Sequence, residues 1–141
     1  MDVITAFLHP EIDEEVYMEL PEGYGIPNNK SLSPQECRQS YVCKVNKAIY
    51  GLKQAPRAWY SNVDTFLPSI SFRQSSYDPN LYIYTQTTKV YLLLWVDDFI
   101  LFYPTALASI AAKIKQQLSE KYRIKDLGKT KIFIGIQIEH D

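Results

Sequence analysis

The chain has 141 residues, 46% of them hydrophobic, with 15 Lys and Arg against 16 Asp and Glu. That length suits one domain with a substantial core. No apolar run approaches the 18 residues of a membrane span and no signal peptide opens the chain, so the reading expects an intracellular, cytoplasmic protein with no membrane partner. Cys37 and Cys43, with His9 and His140 far off in sequence, make no zinc pattern and read as reduced structural cysteines in a loop and a strand.

Charge is distributed unevenly along the chain. Residues 1–29 carry seven acids and no Lys or Arg, residues 44–57 carry Lys44, Lys47, Lys53 and Arg57 and no acid, and residues 113–131 are again basic. Separate acidic and basic surfaces fit metal chemistry beside phosphate binding. They fit a plain salt-bridged surface equally well.

In chain order, Asp2–Leu8 reads as a strand end entering a turn or short helix, closed by His9-Pro10. Glu11–Met18, with Ile12 and Val16 spaced for one face, predicts a short helical turn, and the stretches 21–27 and 28–39 predict loop. Tyr41–Val45 alternates and predicts a strand that Gly51 closes. Pro56 suits a first helical turn, and Trp59, Val63, Phe66 and Leu67 form one stripe ended by Pro68. Leu81–Thr85 predicts a strand joined by Gln86–Lys89 to a second, Val90–Trp95. A third strand, Phe99–Tyr103, precedes a helix from Pro104-Thr105 whose buried face is Leu107, Ile110, Ile114 and Leu118. Asp126-Leu127-Gly128 predicts a turn, and Ile132, Ile134, Ile136 and Ile138 predict one alternating strand. Short links make neighbouring strands antiparallel, and helices on one face of such a sheet give an α+β layer fold.

Asp97-Asp98 stands between the two most apolar strands. Two like charges about 5 Å apart at an effective dielectric near 20 repel by roughly 3 kcal/mol. A divalent cation or an exposed hairpin tip would relieve that cost. With Asp2 from another strand end, the pair could supply the carboxylates of a two-metal phosphoryl-transfer site, for which Mg²⁺ is the hard-ligand choice. A stand-alone RNA-binding sheet, stacking bases on Tyr82, Tyr84 and Tyr91, is the rival reading of the same residues.

The chain resembles the reverse transcriptase domain of Ty1/copia-type retrotransposon polyproteins over nearly all of its length. The resemblance rests on Asp2–Leu8, on Glu15–Glu19 with Pro21-Glu22-Gly23, on Val42–Val45, and on the run Tyr50–Tyr60. Val96-Asp97-Asp98 and Lys125–Gly128 complete it. It implies a polymerase palm over 1–7 and 56–141, with an antiparallel sheet and helices on one face, part of the fingers over 8–55, and no thumb. It implies RNA-directed DNA synthesis at a primer 3′ end. Asp2, Asp97 and Asp98 would be catalytic and metal-binding, with two Mg²⁺ ions or Mn²⁺ as cofactor. Phe7 and Gln54 would contact the nucleotide, Phe7 by leaving no room for a 2′-hydroxyl, and Lys53 and Arg57 would meet phosphates. The partners implied are an RNA or DNA primer–template, dNTPs, and the integrase and RNase H modules of a full element. The sequence departs from the family in Trp95 before Val-Asp-Asp and in His9-Pro10. No strand precedes Asp2 and no thumb follows, so the isolated chain is expected to be weakly active or inactive, or a non-catalytic relic.

Overall fold

The computed structural model describes residues 1–24, 32–133 and 135–139. Its centre is a six-stranded antiparallel sheet in the order β4-β5-β6-β7-β1-β8. These strands are β1 (Asp2–Val3), β4 (Phe72–Gln74), β5 (Leu81–Tyr84), β6 (Tyr91–Trp95), β7 (Asp98–Phe102) and β8 (Ile124–Lys125). Helices α2 (Ala55–Phe66) and α3 (Ala108–Lys121) supply Trp59, Val63, Ile114 and Leu118 to the same core as Val3, Leu92, Leu94 and Phe99 of the sheet. The molecule is therefore α+β with an antiparallel sheet, as the pattern of strands and helices implied.

Register decides which side chains face the helices. Leu94 pairs with Phe99 and Tyr82 with Leu92, and all four are buried against the helices. The alternate pairs, Tyr91 with Phe102 and Trp95 with Asp98, then point to the other, open face. Tyr82 and Tyr84 are 0% and 3% exposed, which removes them as a base-stacking surface and leaves only Tyr91 of that expected trio on the open face. Tyr82 donates to Asp64 in α2, and burial holds its phenol far above the usual range.

A second, smaller layer is the hairpin of β2 (Glu11–Glu19) and β3 (Val42–Lys47), with α1 (Pro34–Ser40) between them in sequence. Glu11–Met18 is thus a strand and not the predicted helical turn. A four-residue spacing such as Ile12 to Val16 is two pleats as well as one helical turn, and the partner strand settles it. Helix α1 falls inside the stretch expected to be loop. Ser33 and Glu36 form a reciprocal capping box there, and Cys37 is a buried helical residue, not a loop one. Both cysteines are free. The expected loop positions 25–31 lie outside the described residues.

Helix α2 ends at Phe66, just before Pro68 as expected, and a 3₁₀ turn over Leu67–Ile70 follows with proline at its start, where its missing N–H costs nothing. One other expectation is corrected. The terminal segment is not one strand but a tight hairpin of β9 (Ile132–Phe133) and β10 (Ile136–Gln137). Gly135 at φ 75 reverses the chain, so the isoleucine alternation does not run through. Ile134 lies outside the described residues. No helix among the described residues is long and apolar enough to cross a membrane.

Candidate active site

The strands β6 and β7 are joined by a two-residue turn, Val96-Asp97, closed by the Trp95–Asp98 pair. Val96 has φ 52 while Asp97 does not share the left-handed region, the pattern of a type II′ hairpin turn. A β-branched residue there is strained by roughly 1–3 kcal/mol. The indole Nε1 of Trp59, buried beneath the hairpin, donates to the carbonyl of Val96. Helix α2 thus holds the strained turn from below.

Strand β1 lies beside this turn. The Met1 amine donates to the Phe99 carbonyl at 2.8 Å, and the Phe99 N–H donates back to Met1 at 2.9 Å. The Val3 N–H donates to the Asp97 carbonyl at 2.8 Å. Asp2 and Asp98 are therefore directly opposite each other in the wide, non-hydrogen-bonded position of the ladder. Such pairs bring Cα atoms to about 4.5 Å and their side chains onto one face. Like charges placed so are destabilising unless something neutralises them. Desolvation first, then the Asp97 and Asp2 charges, push the Asp98 carboxyl up, against the Met1 ammonium, which lowers it. The Met1 amine is itself lowered by burial.

Asp97 stands at the tip. It lies near the hydroxyl of Tyr50, whose pKa is raised first by desolvation and then by the Asp97 and Asp2 charges. The ring of Tyr50 packs on Phe7 at 4.5 Å between centroids. Phe7 lies in a 3₁₀ turn over Ala6–Leu8 that follows Thr5 at φ 55, and it is buried. Behind it, His9 packs on Trp59 and Tyr122. His9-Pro10, a departure from the family pattern, thus serves the aromatic core.

Asp2, Asp97 and Asp98 stand at one end of the sheet, contributed by two distant stretches of sequence. Among the described residues, no three His, Cys, Asp or Glu side chains converge into a group able to hold a metal ion. The register couples Asp2 to Asp98, and Asp97 stands beside them in the turn. The donor set nonetheless fits a hard divalent cation in kind: carboxylate oxygens only, mutually repelling, half-buried at one end of the sheet.

Gln54 and Arg57 lie elsewhere. They line a polar groove of about 680 Å³ between β2 and α2, together with Glu11, Asp13, Glu14 and Lys121. The lining of this groove contains none of the three aspartates. Gln54 Nε2 donates to Glu14 Oε2 at 2.8 Å. Lys53 and Arg57 are exposed. Tyr50 and Trp59 were not singled out as site residues by the sequence reading. Tyr50 stands just before Gly51, whose φ of 95 turns the chain toward the carboxylates, and that Tyr-Gly step was the signal available.

The whole chain, residues 1–141, matches the family model described as reverse transcriptase (RNA-dependent DNA polymerase). The chain belongs to this family. It is 39% identical over 140 residues to the retrovirus-related Pol polyprotein from transposon TNT 1-94 of Nicotiana tabacum, covering 98% of this chain and 10% of that protein. It is 36% identical over 140 residues to the polyprotein from transposon RE1 of Arabidopsis thaliana, covering 97% and 9%. To the transposon Ty1-BR Gag-Pol polyprotein of Saccharomyces cerevisiae it is 28% identical over 145 residues, covering 100% and 7%. The reverse transcriptase domain here is of the copia type, and it spans about a tenth of the length of these curated relatives. No solved structure matches it.

Proposed function

We propose that the chain forms the palm and part of the fingers of an RNA-directed DNA polymerase. The palm comprises 1–7 and 56–141, and the fingers 8–55. The observation that supports this reading is the pairing of Asp2 with Asp98 across the β1–β7 ladder, with Asp97 next to it in the turn. The three carboxylates would hold two Mg²⁺ ions, or Mn²⁺, beside the primer 3′ end. When bound, such ions lower the pKa of the attacking hydroxyl and neutralise the departing phosphate oxygens. The protein's share is positioning. The Trp59 bond fixes the height of the Val96-Asp97 turn, and the Met1–Phe99 exchange fixes the β1 register. Gln54, bonded to Glu14 in the neighbouring groove, would have to release that bond to meet the incoming nucleotide, and Lys53 and Arg57 are exposed cations that would approach phosphates. Primer–template and dNTPs are the partners, with the integrase and RNase H modules of a full element. Backbone contacts dominate nucleic-acid affinity, so the isolated chain, a tenth of its relatives' length, extends primers weakly.

Mn²⁺ titration of the purified chain tests the assignment. Asp2→Asn and Asp97→Asn should each weaken Mn²⁺ binding by more than about tenfold, or 1.4 kcal/mol. Primer extension on an RNA template with Mn²⁺ should be slow and lost in both variants. Mn²⁺ binding indifferent to both substitutions would refute the catalytic assignment and leave a non-catalytic relic of the family.

A further inference from the structure

The motif Lys125–Gly128 has no part in the site as described so far. Val3 and Phe99 are buried, and Ile124 packs against the same core. Alternation along the strands then puts Asp2, Asp98 and Lys125 together on the open face. Register sets them in one row across three strands. Asp98 of β7 stands opposite Asp2 of β1, and Asp2 stands opposite Lys125 of β8. Side chains so opposed have Cβ atoms about 4.5–5.5 Å apart. The rest of the motif holds Lys125 in that row. Lys115 Nζ of α3 donates to Asp126 Oδ2 at 2.9 Å, and the Gly128 N–H donates to Asp126 Oδ1 at 3.0 Å. Asp126 thereby ties the turn after β8 to α3, which resists sliding of β8 along β1. Lys125 itself is exposed and, among the described residues, forms no ion pair within 4 Å. Its charge acts on the aspartates through space.

We propose that Lys125 is a built-in counter-charge that lowers the affinity of the Asp2–Asp98 pair for a divalent cation. This rests on the metal-binding part of the polymerase reading above. Without metal, the ammonium offsets part of the repulsion between the two carboxylates. With metal, it repels the ion that takes over that task. A unit positive charge about 6 Å from a divalent ion in water weakens its binding by about tenfold. At about 0.1 M salt, where the Debye length is about 10 Å, the same charge weakens it by about three- to fourfold. Lys125 touches neither the ion nor a substrate in this role, and acts through the field it sets at Asp2.

The test is Mn²⁺ titration of the full chain, read from the paramagnetic signal of free Mn²⁺, in dilute buffer and at about 0.1 M salt. Lys125→Gln should tighten binding by about tenfold in dilute buffer and by about three- to fourfold in salt, a gain that structural damage would not produce. Lys125→Arg should keep the wild-type affinity. Lys113→Gln removes the same charge from the exposed side of α3, and it should leave the affinity unchanged. Lys125→Thr, which suits a strand, takes the place of Lys125→Gln if that variant fails to fold by circular dichroism. An affinity in Lys125→Gln or Lys125→Thr equal to the wild type or weaker would overturn the inference while the metal site stands. An equal gain in Lys113→Gln would do the same. Absence of Mn²⁺ binding in both the wild type and Lys125→Gln, or binding indifferent to Asp2→Asn, would overturn the metal-site reading, and this inference with it.

Discussion

The central sheet and the β2–β3 hairpin are both antiparallel, but they are held by different forces. In β6 and β7 the side chains facing α2 and α3 are buried, and a one-residue slip would expose all of them. In β2, no side chain is fully buried; Ile12 and Val16 are half-covered and the rest are exposed. The buried residues nearest the hairpin, Leu20, Cys37 and Val45, stand apart from the main core. Ion pairs join its strands and α1: Lys44 to Glu15 at 2.9 Å and Arg38 to Glu19 at 3.2 Å. The acidic N-terminal stretch and the basic stretch that follows it are thus partly a salt-bridged surface. The contrast teaches where rigidity is placed. The carboxylates ride on the part whose register is fixed by burial, and Gln54 faces the part that surface charges hold.

The sharpest way to break that contrast is to cut the pin under the turn. Trp59→Ala should cost about 3–5 kcal/mol, read as a large fall in Tm. Trp59→Phe keeps most of the ring but loses the donor to Val96, costing about 1–2 kcal/mol. Leu20→Ala should cost about 2 kcal/mol. Its effect should concentrate in faster hydrogen exchange of β2 and β3, with β6 and β7 amides shielded up to global unfolding. Equal acceleration in both regions would abolish the distinction. Val96→Gly should raise Tm by the equivalent of about 0.5–1 kcal/mol, since relief of the left-handed strain exceeds the entropy of glycine. A fall in Tm would mean that the turn is unstrained.

The smallest effects belong to surface charge. Lys44→Ala should cost no more than about 0.5 kcal/mol and should cost nothing in high salt. The Lys115 hydrogen bond, then the Gly128 N–H, hold the Asp126 carboxyl below its ordinary range. A depressed folded pKa adds stability above the unfolded value, near 4, and that stability is lost as pH falls through the folded one. Both side chains are partly exposed, so the contribution stays below about 1 kcal/mol. The Tm gap between wild type and Asp126→Asn should be open at pH 7 and closed by about pH 2. A gap that persists in acid would assign the effect to packing.

How much was legible followed the same division. The strands around Asp97-Asp98 and both long helices were readable because burial imposes periods of 2 and 3.6 on their residues. Asp97 and Asp98 could be singled out because their cost in an apolar setting demands a reason, and Asp2 because the family resemblance sets it beside them. The strand nature of Glu11–Glu19 was not readable, since its polar residues carry little periodicity and its partner lies beyond a long connection. Capping-box chemistry at Ser33 and Glu36 was present in the sequence but was outweighed by the Asn, Ser and Pro around it. The facing of Tyr82 and Tyr84 needed the register against β6, which one strand alone does not reveal. Tyr50 needed the third dimension, because nothing in its neighbours says that the turn at Gly51 lays it on Phe7.

The order of the sheet also governs how copies of this molecule meet one another. Its two outermost strands, β4 and β8, are three and two residues long. Arg73 sits in the middle of one and Lys125 on the other. An edge so short offers another chain few free N–H and C=O groups, and a lysine or arginine there penalises stacking of like edges. The most β-prone strands, β6 and β7, are enclosed between neighbours on both sides. The central sheet therefore gives crowded copies little template for edge-to-edge pairing, and the longer open edges belong to the β2–β3 hairpin, where acidic side chains crowd β2.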